Sequence, residues 1–311
     1  MAAIVTVTMN PAIDVSFEVE RMVAESKLRA TAPELHPGGG GINVARAAAR
    51  LGGDVMALWM GGGCDGARLA ELLGEEHVPY DRVPAADEPR LSIHVEERTT
   101  GAMYRFVLPG PTITPQEAKV LEERIASYVG ARFLVLSGSL PPSLPTDYYA
   151  ELAARAPRGV RVILDTSGEP LTRGLAGHVY LAKPNRNELG RAVGRELATI
   201  DDVVRAARAL IDDGRVELLA VSLGAEGMVL VTRDDADHIR APQVRPISAV
   251  GAGDSTVAGI VVGLARGLPI ADAMRLGVAA GAAAVLTPGT ELSRREDTDR
   301  LYAELQAERC A

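Results

Sequence analysis

The stretch VGAGDSTVAGIVVG, residues 250–263, sets an aspartate behind Gly-Ala-Gly and ahead of a run that carries no other charge. That run has the apolar content of a buried helix, predicted over 254–266. A carboxylate at the mouth of a buried helix is uncommon without a partner. Gly251, Ala252 and Gly253 expose backbone N–H groups where the helix starts, and with the helix dipole behind them they form an anion site. Two readings of Asp254 stay open from these residues alone. It caps the helix, or it stands beside a phosphoryl group held by those N–H groups and takes the proton of an attacking hydroxyl.

Upstream, short apolar runs alternate with helical ones. Strands are predicted at 3–8, 54–60, 132–138, 160–167, 178–185, 216–224 and 227–233. Helices are predicted at 41–53 (closed by Gly52-Gly53), 65–76, 114–129, 145–156 and 199–214, with two more after the opening stretch, at 269–286 and 295–309. This alternation is that of an α/β protein with a mostly parallel sheet covered by helices on both faces. Ligands in such folds bind beyond the carboxyl ends of the strands. Two segments break the pattern. Residues 14–35 read as strands with no helix between them, and 90–110 as a hairpin turning near Thr99-Thr100-Gly101. Together, at about 14–35 and 90–108, they predict a small β-sheet lid on one domain spanning 1–311. No internal repeat, low-complexity tract or separate linker is visible.

Composition agrees with a large enzyme-sized core: 311 residues, 47% hydrophobic. A net charge of −8 argues against a general nucleic-acid binder, so an anionic ligand must meet a local basic cluster. Cys64 and Cys310 are too few for a disulfide framework or a cysteine zinc site and read as inert thiols. The opening MAAIVTVTMNPAID lacks a basic signal region. No run of about 18 uncharged apolar residues suggests a membrane span. A soluble cytoplasmic protein is expected.

Four further stretches carry polar groups at turn positions. In HPGGGGINVARA, residues 36–47, glycines precede a helix and let a ligand touch bare backbone, and Asn43 can bond hydroxyls; the alternative is a flexible loop. The Lys-Ser/Thr pair of a Walker A loop is missing. If the hairpin turns at 98–101, paired residues sum to about 199. Arg90, Ser92 and His94 then share a face with Arg105, where two arginines can clamp a phosphate, with Lys27 from the other lid segment joining them. Against this, arginines on a solvated sheet are ordinary, and His94 is read as a bystander. In AKPNRNELG, residues 182–190, Asn185 and Glu188 suit a hydrated magnesium ion on phosphates, or a plain helix cap. VSLGAEG, residues 221–227, borders a nucleotide or is a simple hairpin. Asp14 binds sugar hydroxyls or closes an Asx-turn.

Taken together these segments resemble the ribokinase-like (PfkB) sugar kinase family over essentially the whole chain. PGGGGINVARA and Gly251–Asp254 match its two signatures, with Asn185 and Glu188 as the intervening Asn-x-x-Glu. Within the family the chain is most similar to the minor, PfkB-type bacterial 6-phosphofructokinases, in KLRATAPELHPGGGGINVARAAARLGG, YRFVLPG, LVLSGSLPP, DTSGE and AKPN. Relatives acting on fructose 1-phosphate or tagatose 6-phosphate usually carry lysine where Gly40 stands, although TMNPAID is closer to their N-terminus. The resemblance implies ATP-dependent phosphorylation of fructose 6-phosphate at its 1-hydroxyl, with Mg2+. The alternatives are those two other phosphosugars and, lower, a non-catalytic sugar- or nucleotide-binding regulator. A dinucleotide oxidoreductase ranks lower still, because GGGGIN lacks the required register.

The same resemblance implies roles residue by residue. Asp254 is the base, and Gly251, Ala252 and Gly253 the anion hole. Asp14, Gly39, Gly40 and Asn43 hold sugar hydroxyls, and Lys27, Arg90, Arg105 and Ser139 hold the 6-phosphate. Lys183, Asn185, Glu188, Ser222, Gly224 and Gly227 line the ATP–magnesium side, with Glu188 reaching the metal through water. Many family members have Asp-Thr where this chain has Ser248-Ala249. A K+ ion near Ser248 and Val250 is implied by that neighbourhood. A homodimer joined through the lid, with Tyr104 and Phe106 on its outer face, completes the expectation.

Overall fold

A computed structural model describes residues 2–310. Its strands are β1 (Ile4–Thr8), β2 (Ala12–Val19), β3 (Glu34–Gly38), β4 (Val55–Met60), β5 (Tyr80–Val83), β6 (Arg90–Glu97), β7 (Ala102–Val107), β8 (Phe133–Ser137), β9 (Arg161–Asp165), β10 (Val179–Ala182), β11 (Val216–Ser222), β12 (Met228–Val231) and β13 (Ala236–Ile239). Its α-helices are α1 (Gly40–Arg50), α2 (Gly63–Glu75), α3 (Pro115–Ala126), α4 (Tyr148–Ala154), α5 (Gly168–Gly174), α6 (Arg186–Ala192), α7 (Ile200–Asp212), α8 (Ala252–Ala265), α9 (Ile270–Ala284) and α10 (Arg295–Cys310).

The main sheet has nine strands in the order β13-β12-β11-β10-β9-β8-β1-β4-β5. It is parallel from β11 to β5, and β12 and β13 extend one edge antiparallel. β1 shows why it is covered on both faces. All five of its residues are buried. Ile4 belongs to one apolar cluster, while Val5 and Val7 belong to the other, as strand alternation requires. α8 packs between α1 and α9 on the Ile4 side, with residues 255–264 all buried. Gly259 permits that closeness: a Cβ there would stand 2.6 Å from the Leu276 carbonyl of α9.

The second sheet has the order β3-β2-β6-β7 and joins two stretches far apart in sequence. His94 pairs with Arg105 and Ser92 with Val107 across the β6–β7 hairpin, the register expected from the sequence. The sheet runs wider than 14–35, however. β2 begins at Ala12 and β3 continues to Gly38, so the glycine stretch starts inside the sheet. β5, β13 and α5 were not expected. The two strands are four-residue edges with half-buried polar residues, and α5 is seven residues long, so none carries a readable period.

Among the described residues no helix is long and apolar enough to cross a membrane. Cys64 is exposed and free, while the Cys310 side chain lies outside the described residues.

Candidate active site

The carboxyl ends of β1, β8, β9, β10 and β11 bring Thr8, Ser137, Asp165, Lys183 and Ser222 to one edge of the main sheet. α8 starts above that edge. Its N-cap is Gly251, left-handed at φ 75°, and a Cβ there would strike Leu292 Cδ2 at 2.5 Å. Asp254 is therefore not the cap. It lies in the first turn, and its Oδ2 accepts from Asn43 Nδ2 at 2.9 Å, tying α8 to α1. N–H groups of a first helical turn have no acceptor within the helix and remain free for an anion.

Burial pushes the Asp254 carboxyl up to about 7; Asp165 and Asp14 add to the rise, and the Asn43 hydrogen bond and Lys183 oppose it. A carboxylate tuned to neutrality in a cleft suits a general base. Lys183 Nζ sits 3.0 Å from Asp165 Oδ1. Burial works to lower the ammonium, but Asp165, with Asp254 and Glu188, holds it above the ordinary lysine value, so it stays protonated.

On one side of Asp254 lies a cavity of about 400 Å³. The structure brings Lys183, Ser222, Gly224 and Gly227 together in its lining, Ala252, Gly253 and Thr256 close its end, and Val244, Val278 and Val285 supply apolar walls. β11 and β12 form a hairpin here, through the turn Gly224–Glu226, and Gly224 of that turn lines the cavity. Asn185 and Glu188 are placed differently. They cap α6 reciprocally: Asn185 Oδ1 accepts from the Glu188 N–H, and Glu188 Oε2 accepts from the Asn185 N–H, each at 2.8 Å. Neither lines the cavity, although Asn185 bridges to Ser222, which does. Ser248 Oγ donates to the Gly289 carbonyl at 3.0 Å and accepts from the Val250 N–H at 3.2 Å.

On the other side, the glycine run meets the small sheet. Gly39 caps α1 at φ 105°. The missing Cβ atoms face protein: at Gly40 one would lie 2.5 Å from the Gly138 nitrogen, and at Gly38 2.6 Å from the Asp14 carboxylate. Close packing, rather than ligand approach alone, thus requires glycine here. Asp14 is not in a turn. It sits within β2, between His36 of β3 and Ser92 of β6, and its Oδ1 is 4.0 Å from His94 Nε2. Burial raises Asp14 above the usual carboxylate range, with His94, Arg46 and Arg90 opposing. Burial likewise lowers His94, whose Nε2 is 3.1 Å from Ser92 Oγ.

Arg90 and Arg105 are close enough to repel. Burial lowers Arg90 below the arginine range, Asp14 opposes this, and Arg105 lowers it further. Arg90 Nε and Nη1 are buried and have no protein partner among the described residues. The same holds for Thr8 Oγ1, Asn10 Oδ1 and Ser137 Oγ around the glycine run. Buried polar atoms are normally paired, so unpaired ones gathered at one edge point to a polar ligand. Ser139 joins this group by accepting from Asn10 Nδ2 at 3.1 Å. Lys27 does not: it is exposed on the connection between β2 and β3 and makes none of the contacts that unite the others.

Sequence reasoning missed Asn10, Ser137 and Asp165 as site residues. All three stand at or just beyond strand carboxyl ends, and that position was the available signal.

The pfkB family carbohydrate kinase model matches residues 3–297. The chain is 41% identical over 307 residues to the ATP-dependent 6-phosphofructokinase isozyme 2 of Escherichia coli, covering 98% of this chain and 99% of that one. It is 45% identical to the protein of the same name from Mycobacterium tuberculosis (98% and 90%). It is 33% identical to the 1-phosphofructokinase of Bacillus subtilis (98% and 99%). Among solved structures it superposes on E. coli phosphofructokinase-2 in complex with potassium at TM-score 0.94, with 42% identity, 98% of this chain and 100% of that chain covered. The tetrameric inhibited form of the same enzyme gives 0.93 at 41% identity, and its fructose-6-phosphate complex 0.92 at 40%, with the same coverage. The chain belongs to the pfkB family of carbohydrate kinases, and its fold is ribokinase-like.

Proposed function

We propose that this pfkB-family kinase is an ATP-dependent 6-phosphofructokinase, transferring the γ-phosphoryl group of ATP to the 1-hydroxyl of fructose 6-phosphate. The observation that carries this reading is the place of Asp254. It stands between a nucleotide-sized cavity bounded by Ala252 and Gly253 and a cluster of unpaired polar groups that includes two buried N–H groups of the half-buried Arg90.

In this reading Asp254 accepts the 1-hydroxyl proton as O1 bonds to the γ-phosphorus, and the bond from that phosphorus to the β–γ bridging oxygen breaks, releasing ADP. The N–H groups of Gly251, Ala252 and Gly253 stabilise charge on the group in transit. Asp14, Gly39, Gly40 and Asn43 orient the sugar. Arg90, Arg105 and Ser139 hold the 6-phosphate, and the unpaired N–H groups of Arg90 support that role. Lys183, Ser222, Gly224 and Gly227 bound the ATP.

The residues fit magnesium bound chiefly by phosphates. Glu188 has one oxygen committed to the α6 cap and its other oxygen available to a metal-bound water. Such an ion would neutralise charge on the β- and γ-phosphates. A potassium ion near Ser248 and Val250 belongs to the same reading, supported by the E. coli relative's complex with potassium. The chain forms one cytoplasmic kinase domain, and the small sheet acts as a lid. Tyr104 and Phe106 are exposed on the sheet face opposite His94, which supports a homodimer through that lid. Lys27 then serves the phosphate site only if closure or the partner brings it there.

Fructose 1-phosphate or tagatose 6-phosphate is the second reading, the former favoured by the B. subtilis 1-phosphofructokinase. The Gly40 contact with Gly138 weighs against it, because this backbone leaves no room for the lysine of those relatives. The regulator reading falls lower because Asp254 is present and tuned near neutrality. The test is product analysis: purified protein, ATP, Mg2+ and fructose 6-phosphate, with the product read by phosphorus NMR. Phosphate at carbon 1 of the bisphosphate is expected. Phosphate elsewhere, or no product, would refute the assignment.

A further inference from the structure

One fully buried cation has no role in the reaction as described. Arg46 lies one helical turn after Asn43 on α1 and is 1% exposed. Its Nη1 donates to the Pro37 carbonyl at 2.7 Å and to Asn43 Oδ1 at 3.3 Å. Its Nε donates to Glu76 Oε2 at 3.0 Å, and its Nη2 bonds the other oxygen of the same carboxylate. Glu76, just past α2, also accepts from Arg50 Nη2 at 3.1 Å. Arg50 in turn donates to the carbonyl of Leu292, the residue packed against Gly251.

An amide has one donating and one accepting end. Asn43 turns its donating end to Asp254, and Arg46 meets the accepting end. Turned over, the amide would set its oxygen against a carboxylate and its N–H groups against a guanidinium, both repulsive. We infer that Arg46, anchored by Glu76, is a positioning residue that holds the Asn43 amide with its N–H end on Asp254. This rests on the reading of Asp254 as the base. Without the Asn43 donor, the charged form of Asp254 loses a hydrogen bond and the group keeps its proton to higher pH. The other charged groups facing Asp254 are Asp165 and Lys183 at the ends of β9 and β10, and Asp14 in β2.

The test is a cycle of Arg46→Lys, Asn43→Ala and the double variant, reading kcat, both KM values and the pH profile. Lysine keeps the charge beside Glu76 and Asp14, but a single ammonium cannot serve Glu76, Pro37 and Asn43 at once. Arg46→Lys is expected to lower kcat at neutral pH about tenfold, the rate equivalent of a weakened hydrogen bond to a charged group. Its acid limb moves to higher pH, as in Asn43→Ala, while KM for ATP stays unchanged. The double variant is no slower than Asn43→Ala alone. Losses that multiply, or an acid limb left in place by Arg46→Lys, would overturn the inference. If Arg46→Lys fails to fold, Glu76→Gln replaces it in the same cycle, with the same non-additivity expected and multiplied losses overturning the role. Asp254→Asn measured alongside separates the failures. A retained rate there refutes the base assignment itself, whereas a lost rate with multiplying effects refutes only the positioning role.

Discussion

Replacing Asp254 by asparagine is expected to slow turnover steeply and to stabilise the fold at alkaline pH. The carboxyl, ordinarily at 3.8, lies at about 7 in the folded chain. The folded state thus holds this proton more tightly than the unfolded chain, and carrying the charge costs stability. The cost is absent below the unfolded value, grows between 3.8 and about 7, and is complete above it. Fully expressed, it would be about 4 kcal/mol. Asparagine has no charge to bury and retains an oxygen for the Asn43 donor. For a chain of this size such a gain corresponds to a rise in Tm of about 6 °C. Scanning calorimetry at about pH 8 and pH 5 should show the larger gain at pH 8 and roughly a third of it at pH 5. Turnover should fall about a hundredfold or more, the range for a lost general base. An equal Tm change at both pH values, or a lower Tm at pH 8, would refute the burial argument.

Other outcomes follow from the same geometry. In the unaltered enzyme, kcat/KM should rise with pH through a limb centred near 7 and level off above it, since only ionised Asp254 can take the proton; a flat profile from pH 5 to 8 would remove it as base. Arg90→Met should raise KM for the phosphosugar by about ten- to a hundredfold with a smaller effect on kcat, and Arg105→Met less, because Arg105 is exposed. Saturation curves unchanged in Arg90→Met would dissolve the clamp. Phe106→Asp should leave the proposed lid-joined dimer as folded monomers in sedimentation velocity, and a sedimentation coefficient equal to that of the unaltered chain would refute a dimer joined through this face.

The alternation of apolar strands with helices was enough to read the layered sheet, because a strand buried on both faces leaves an uninterrupted apolar run such as Ile4–Thr8. The register of the β6–β7 hairpin was legible too, since Gly101 at φ 69° fixes the turn and the turn fixes the pairing. Asp254 could be singled out because a charge behind Gly-Ala-Gly and ahead of an uncharged apolar run is conspicuous, although Gly251 proves to be required also by its left-handed φ and by Leu292. What the sequence hid were partnerships formed at long range. Asn43 meets Asp254 across 211 residues, and Arg46 reaches a carboxylate just past the end of α2. Local pattern carries no trace of either. Asn185 and Glu188 were ambiguous for the opposite reason: three-residue spacing at a helix start serves a capping box and a metal site alike, and the structure shows the box formed with one Glu188 oxygen outside it. The glycine run looked like bare backbone offered to a ligand, yet its absent side chains would collide with Asp14 and Gly138.

The proposed role of Asp254 and the arginine pair is to serve a ketohexose 6-phosphate. The most direct measurement is kcat/KM with ATP and Mg2+ for fructose 6-phosphate, fructose 1-phosphate, tagatose 6-phosphate and unphosphorylated fructose, compared on one preparation. Fructose 6-phosphate is expected to lead, with unphosphorylated fructose far behind because the arginines find no anion. A lead for fructose 1-phosphate or tagatose 6-phosphate would contradict the substrate assignment, and no turnover on any of the four would contradict the kinase reading itself.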